Sequence, residues 1–219
     1  MSRPEQTPVE HVLGNPDAPV TVLEYGDFEC PYCAAAAPVL KQLVEESQGQ
    51  VRLVFRHFPL AGNHPHALTA ALAAEAAGAQ GAFWPMHDLL FARQDRLSDI
   101  ALRAYAEELG LDGTRVVGEA AQEFAAKVAA DFEQGLADEV AGTPTVVVDG
   151  ELFSGRVELA ALRRAVRLTA PIVNGSGADG GVDPGQRRQR RWAFGVRRAE
   201  REPLAEHPQQ DDAEQRRDH

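Results

Sequence analysis

The first part of the chain shows two strand-like apolar stretches with a helical stretch between them. Residues 19–25 are short, apolar and rich in β-branched side chains, which predicts a buried strand. From about residue 31 to residue 44 the apolar positions recur every three or four residues, which predicts a helix ending at Gly49. Residues 50–58 alternate apolar and polar side chains, as a second strand does. This order predicts a right-handed βαβ unit with parallel strands.

Helical spacing then dominates residues 62–138, where no strand pattern is visible. Helices are predicted at residues 66–77 and 83–93, and a third begins at a cap formed by Ser98 or Asp99. A stripe of apolar residues with helical spacing follows at Val117, Ala121, Phe124, Val128 and Phe132. We therefore expect an all-helical insertion at this point of the chain.

The strand pattern returns after the helical stretch. Residues 145–148 are β-branched, Asp149-Gly150 is typical of a hairpin turn, and Leu152-Phe153 begins the return strand. Residues 157–168 form a last amphipathic helix. The chain is therefore α/β, in the order β-α-β, helical insertion, β-β-α.

These patterns divide the chain into four parts. We expect an irregular lead-in (1–18), an α/β domain made of two segments (19–61 and 139–170), the helical insertion (62–138) and a tail (171–219). The tail is rich in Gly and then in Arg, Gln, Glu and Asp, so it has little apolar surface to offset chain entropy. We expect it to be disordered.

Composition and charge narrow the classes of function. The 219 residues carry a formal net charge of −11, which argues against nucleic acid as a partner. The N-terminal residues lack the apolar run of a secretory signal, and no stretch is long and apolar enough to span a membrane. We therefore expect a cytoplasmic location without a membrane partner, while the oligomeric state stays open.

The chain has two cysteines, Cys30 and Cys33. With this spacing and a reducing compartment, the pair is more consistent with catalysis or metal binding than with a structural disulfide. A zinc site formed with His64 and His66, or a pair of inert buried thiols, are the alternatives.

The position of Cys30 between a strand and a helix favours redox chemistry. A thiol attacks a disulfide as its thiolate, and unpaired N–H groups at a helix N-terminus stabilise that anion. Pro31 suits the first helical position, because its missing N–H would be unpaired there. Cys30 is the predicted nucleophile, and Cys33, one turn later, is the predicted resolving thiol.

The chain resembles the DsbA-type proteins of the thioredoxin superfamily over about residues 8–169. Its active-site-like segment is Val-Thr-Val-Leu-Glu-Tyr-Gly-Asp-Phe-Glu-Cys-Pro-Tyr-Cys at 20–33. Further segments match in the same order: Arg-His-Phe-Pro-Leu at 56–60, His-Pro-His-Ala at 64–67, Phe-Trp-Pro-Met-His-Asp-Leu-Leu-Phe at 83–91, Tyr-Ala-Glu-Glu-Leu-Gly-Leu-Asp at 105–112 and Val-Ala-Gly-Thr-Pro-Thr at 140–145. The resemblance implies a thioredoxin-like fold with the helical insertion between the second strand and the Thr-Pro loop.

The resemblance also implies roles for individual residues. Thr143-Pro144 corresponds to the cis-proline loop, where the Thr143 backbone would pair with a substrate strand beside Cys30. Pro31 and Tyr32 would contact substrate as well. Glu24 corresponds to a buried carboxylate that would take the proton from Cys33, or would be a hydrogen-bonded core acid. No metal or organic cofactor is implied.

The implied function is disulfide exchange with protein substrates, with a redox partner of unknown identity recycling the pair. Two alternatives remain open. Cys-Pro-Tyr-Cys is also the motif of glutaredoxins, which are glutathione-linked reductases, although they lack a large helical insertion. The pair could also act as a redox sensor or peptide-binding module without turnover.

Tyr32 leads to the first testable prediction. DsbA-type oxidants typically have His at this position, which stabilises the thiolate, and a neutral Tyr cannot supply that charge. We expect a potential below that of the strongest oxidant of the family, about −120 mV, and towards thioredoxin at about −270 mV. Equilibration with glutathione measures it, and a value above about −150 mV would contradict the prediction.

Overall fold

The computed structural model describes residues 10–169. Within this range five strands form one sheet in the order β1-β3-β2-β4-β5. The strands are β1 (His11–Gly14), β2 (Val20–Gly26), β3 (Val51–His57), β4 (Thr145–Val148) and β5 (Glu151–Leu152). The predicted βαβ unit is confirmed, because β2 and β3 are parallel and α1 (Pro31–Glu46) connects them.

The expectation of an irregular lead-in over residues 1–18 is wrong in part. His11–Gly14 forms β1, which pairs antiparallel with β3 at the sheet edge. Four residues are too short for a clear alternation, and their partner strand lies about forty residues further along the chain. The strand is therefore specified by a distant pairing that local sequence does not show. Residues 1–9 lie outside the described part.

The helical stretch lies between β3 and β4, as predicted. It contains α2 (Ala67–Gly78), α3 (Phe83–Ala92), α4 (Asp99–Glu108), α5 (Gly118–Ala121) and α6 (Ala125–Ala137). The apolar stripe from Val117 to Phe132 is divided between two helices by a 3-10 turn at Gln122–Phe124. A 3-10 turn also keeps residues three apart on one side, so the spacing alone did not reveal the break.

Helix α1 separates two buried clusters. Against the sheet and the last helix, α7 (Leu159–Thr169), it packs Ala36, Leu40 and Leu43. Its first turn instead joins a cluster with the alanines of α2 and with apolar side chains of α3. The start of α1, which carries both cysteines, is therefore covered by the helical stretch.

The Asp149-Gly150 turn and β4 are as predicted, and β4 pairs antiparallel with both β2 and β5. The return strand was predicted to begin at Leu152-Phe153, but it is Glu151–Leu152 and does not include Phe153. The predicted disordered tail, 171–219, lies outside the described residues. A search of residues 10–169 finds no helix of sufficient length and apolar character to cross a membrane.

Candidate active site

Cys30 lies between β2 and α1, directly after a turn at Phe28-Glu29. It is the N-cap of α1, with φ −78° and ψ 120°, and Pro31 follows as the first helical residue. The residue is only 4% exposed, and neither cysteine is in a disulfide. In the thiol form the Cys30 S–H donates to the backbone carbonyl of Thr143, with 3.3 Å between Sγ and O.

The surroundings of Cys30 favour its thiolate. A hydrogen bond from the Cys33 side chain has the largest effect on the pKa of Cys30, and burial opposes it. The Thr143 side chain and the backbone N–H groups of Cys33 and Tyr32 add to the lowering, which brings the pKa to about 5. This value lies between the roughly 7 of thioredoxin and the roughly 3.5 of DsbA. Cys30 is therefore ionised at neutral pH.

Cys33 has the opposite environment. Its side chain is fully buried, and the backbone N–H of Asp27 donates to its Sγ over 3.5 Å. Burial raises the pKa of Cys33 far above its ordinary value, and the neighbouring Cys30 and Glu24 raise it further. One thiol of the pair is thus ready to attack, while the other holds its proton until a base removes it.

Glu24 is the candidate for that base, because its charge interacts with that of Cys33. It lies on β2, is fully buried, and neither carboxylate oxygen has a hydrogen-bond partner among the described residues. The alternative of a hydrogen-bonded core acid is therefore wrong for this residue. Burial, followed by repulsion from Cys30, raises the pKa of Glu24 to about 8. A carboxyl group with such a pKa can gain and lose a proton near neutral pH.

The Thr-Pro loop reaches Cys30 because β4 pairs with β2, with Thr145 opposite Tyr25. The Thr143–Pro144 peptide bond is cis. The Thr143 hydroxyl is buried and has no hydrogen-bond partner among the described residues. The two residues that follow the nucleophile are exposed: Pro31 is exposed, and Tyr32 is 74% exposed. The buried Cys30 thiol thus contacts Thr143 and is followed in the chain by two exposed residues.

The comparison with protein families agrees with this arrangement. A family model described as thioredoxin matches residues 6–167. The chain belongs to the thioredoxin family.

Solved structures of other proteins share this fold. A thioredoxin-like oxidoreductase from Silicibacter pomeroyi DSS-3 is 33% identical, with a TM-score of 0.65 over 73% of this chain and 91% of that one. BdbD from Bacillus subtilis is 24% identical, with a TM-score of 0.65 over 73% of this chain and 92% of that one. The thiol–disulfide exchange protein alpha-DsbA2 from Wolbachia pipientis is 23% identical, with a TM-score of 0.65 over 74% and 87%. The family match and these structures confirm the expected thioredoxin-like fold.

The curated relatives of this thioredoxin-family chain are longer proteins. One from Salinispora arenicola (strain CNS-205), named Na(+)/H(+) antiporter NhaA 1, is 48% identical over 158 residues, which are 72% of this chain and 24% of that protein. One from Salinispora tropica, named Na(+)/H(+) antiporter NhaA 3, is 45% identical over 179 residues, or 81% and 27%. The chain spans about a quarter of the length of the curated relatives it matches.

Two features of the site were missed from the sequence. Gln94, between α3 and α4, donates from Nε2 to the backbone carbonyls of Phe28 and Cys30, each over 2.8 Å. The Asp27 carboxylate accepts hydrogen bonds from the Glu29 backbone and from the His64 ring. Gln94 and His64 each lie more than thirty positions along the chain from the residues they contact in the cysteine segment. No local motif therefore encodes these two contacts.

The proposed alternative of a zinc site is not assembled in this thioredoxin-family protein. His66 is exposed, and it meets Glu29 through its backbone N–H. Among residues 10–169, the one set of three His, Cys, Asp or Glu ligand atoms within 4.8 Å of one another is His11, His57 and Glu75. It contains neither cysteine.

The His11–His57–Glu75 set is better described as a buried hydrogen-bond network than as a metal site. Both imidazole Nε2 atoms lie 2.8 Å from the same Glu75 oxygen, and the Lys127 ammonium lies 3.9 Å from it. A cation at that oxygen would compete with both ring N–H groups and with the ammonium. The network connects β1, β3, α2 and α6, so it holds the helical stretch on the sheet.

The network gives a prediction on stability. Burial raises the pKa of Glu75, but hydrogen bonds from His11 and His57 outweigh it and lower the pKa to about 2. The pKa of Glu75 is about 2 in the folded protein and about 4.3 in the unfolded chain. Its carboxylate therefore stabilises the fold fully above about pH 4.3, and this stabilisation is lost as the pH falls towards about 2. Glu75→Gln is expected to cost about 2–3 kcal/mol at neutral pH and progressively less in acid.

Urea unfolding at a series of pH values measures this effect. Glu119→Gln is the matched control, because Glu119 is an exposed acid on α5. Equal unfolding midpoints for the two variants at neutral pH would show that the network does not stabilise the fold.

Proposed function

We propose that this protein is a DsbA-like thiol–disulfide oxidoreductase that exchanges disulfides with protein substrates. The proposal rests on one observation: the pKa values of the two thiols are shifted in opposite directions. Cys30 has its pKa lowered to about 5 beside the Thr143 carbonyl, whereas burial raises the pKa of Cys33. Inert buried thiols would both have raised pKa values, since burial disfavours each thiolate.

The first step is attack by the Cys30 thiolate on a substrate disulfide. The substrate S–S bond breaks, a bond forms between the Cys30 Sγ and one substrate sulfur, and the other substrate sulfur leaves as a thiolate. The thiolate is present at neutral pH because its pKa is about 5. The product is a mixed disulfide at the surface beside Tyr32.

The second step is resolution by Cys33. Glu24 accepts the Cys33 proton, the Cys33 sulfur attacks the Cys30 Sγ, and the second substrate sulfur leaves as a thiolate. The mixed disulfide carries no charge on Cys30, so the repulsion that raises the pKa of Glu24 is removed at this stage. The substrate is reduced, and the protein carries the Cys30–Cys33 disulfide. The reverse sequence oxidises a substrate dithiol, and a separate redox partner resets the pair.

Substrate binding is proposed around the nucleophile. The backbone of Thr143 lies against Cys30, and an extended substrate segment would pair with it there. Pro31 and Tyr32, which follow Cys30 directly, are exposed and available to the same substrate segment. A glutaredoxin-like reductase is less well supported, because five helices lie between β3 and β4.

The antiporter names belong to the longer relatives, of which this chain matches about a quarter. Sodium–proton exchange is not proposed for the described residues. The cytoplasmic location stays a prediction, and a structural relative from Salmonella enterica serovar Typhimurium is described as periplasmic.

Insulin reduction with a dithiol donor tests the proposal. Wild type is expected to speed the reaction at least about tenfold over Cys30→Ser, since the serine hydroxyl is not ionised at neutral pH. Cys33→Ala should retain the attack but hold substrates on Cys30 as mixed disulfides. If wild type were no faster than Cys30→Ser, the alternative of a sensor or binding module without turnover would replace the proposal.

The role of Glu24 has its own test. Glu24→Gln cannot accept a proton, so resolution of a preformed mixed disulfide should slow about 10- to 100-fold at neutral pH. Single-turnover release of the second substrate thiol measures the rate. Glu29→Gln is the matched control, because Glu29 is a partly buried acid next to Cys30. Equal rates for these two variants would refute the assignment of the base.

A stability measurement separates this role from misfolding. The pKa of Glu24 is about 8 in the folded protein and about 4.3 in the unfolded chain, so the folded state binds the proton more tightly. Wild type should therefore lose stability as the pH rises from about 4.3 to about 8. Glu24→Gln should not show this loss.

A further inference from the structure

Asp27 connects the two cysteines with a histidine outside the motif. Its side chain is fully buried, and its Oδ2 lies 2.8 Å from the Leu60 nitrogen and 2.7 Å from Nδ1 of His64. Its backbone carbonyl accepts from the Cys30 N–H over 3.1 Å, and its own N–H donates to the Cys33 sulfur. One residue therefore holds the backbone of the nucleophile and the imidazole of His64.

His64 has a fixed position at the edge of the site. Its backbone N–H donates to the Leu60 carbonyl, and its own carbonyl accepts from Ala67 at the start of α2. The ring is bound to Asp27, and the side chain remains 21% exposed. The imidazole is thus accessible to solvent protons while its orientation is set by a buried carboxylate.

The charges facing this ring favour its protonated form. The hydrogen bond to Asp27 raises the pKa of His64 most, partial burial lowers it, and the charges of Asp27, Cys30 and Glu29 raise it again. The residue that binds the ring, Asp27, also accepts the Cys30 N–H, so two hydrogen bonds through Asp27 connect the imidazole to the nucleophile. The imidazolium and the thiolate attract each other.

The other ionisable groups named around Cys30 are acids. Glu24 repels the Cys30 charge, and Asp27 and Glu29 flank the same short loop. Tyr32 is exposed to solvent. In this acidic setting a cation near the sulfur has a direct effect on the thiolate.

We propose that the His64 imidazolium, held by Asp27, is a positioning residue that stabilises the Cys30 thiolate. This inference rests on the proposed function and assigns a further residue to it. Stabilising the thiolate favours the reduced pair, which makes the protein a stronger oxidant. The contribution is present while His64 is protonated and is lost as pH rises through the pKa of His64.

The interaction is reciprocal, which provides a second observable. If His64 favours the thiolate, the thiolate must favour protonated His64 by the same free energy. The pKa of His64 should therefore be higher in the reduced protein than in the protein with a Cys30–Cys33 disulfide. A purely structural role for the ring predicts no such difference.

Three variants separate charge from hydrogen bonding. His64→Gln keeps a donor for Asp27 without the charge, His64→Ala removes both, and His66→Ala is the matched control. His66 is exposed two residues away and meets Glu29 only through its backbone, so its side chain can be removed without loss of that contact.

The ultraviolet absorbance of the thiolate, followed with pH, gives the pKa of Cys30 in each variant. His64→Gln and His64→Ala should both raise the pKa of Cys30 by about half a unit, which is a threefold change in its acid dissociation constant. His66→Ala should leave the pKa of Cys30 at the wild-type value. The glutathione equilibrium should shift about threefold towards the disulfide form, equivalent to about 15 mV.

Nuclear magnetic resonance titration of the His64 ring in the reduced and disulfide forms completes the test. A higher pKa in the reduced form supports the proposal, and equal values overturn it. A His64→Gln variant with the same Cys30 pKa as wild type would also overturn the proposal. The hydrogen bond to Asp27 would then be enough to give the wild-type pKa of Cys30 without the charge of His64. These measurements need no substrate, so a failure of insulin reduction and a failure of this inference are separate results.

Discussion

The first turn of α1 is the point on which the site depends. Cys30 is the N-cap residue with an extended backbone, and Pro31 begins the helix. The helical stretch covers this turn from one side and the sheet from the other, so Cys33 is sealed while the Cys30 sulfur faces Thr143. Two identical thiols acquire different proton affinities from position alone.

Three buried carboxylates show how differently this fold treats the same chemical group. Glu24 has no hydrogen-bond partner among residues 10–169, and its pKa rises to about 8. Glu75 is bound by two histidines, and its pKa falls to about 2. Asp27 is bound by two backbone N–H groups and by His64. The unpartnered carboxylate is the one suited to proton transfer, while the other two hold structure in place.

Much of the fold followed from local patterns, because the strands and helices around the cysteines are long enough to show their periods. The first strand was missed since its four residues are defined by pairing with a strand elsewhere in the chain. The Cys-Pro-Tyr-Cys motif located both thiols and, through the resemblance, the Thr143-Pro144 loop and Glu24. Contacts of Gln94 and of His64 with the site were not predictable, because they arise where separate segments meet in the folded chain.

The two hydrogen bonds from Gln94 have a consequence for how the site can change. They fasten the carbonyls of Phe28 and Cys30 to the connection between α3 and α4, far along the chain from the motif. Lengthening or shortening that connection would move the nucleophile even if the motif were untouched. Homologues with an unchanged Cys-Pro-Tyr-Cys can thus diverge in reactivity through a surface loop, and grafting the motif alone onto another scaffold would not transfer its chemistry.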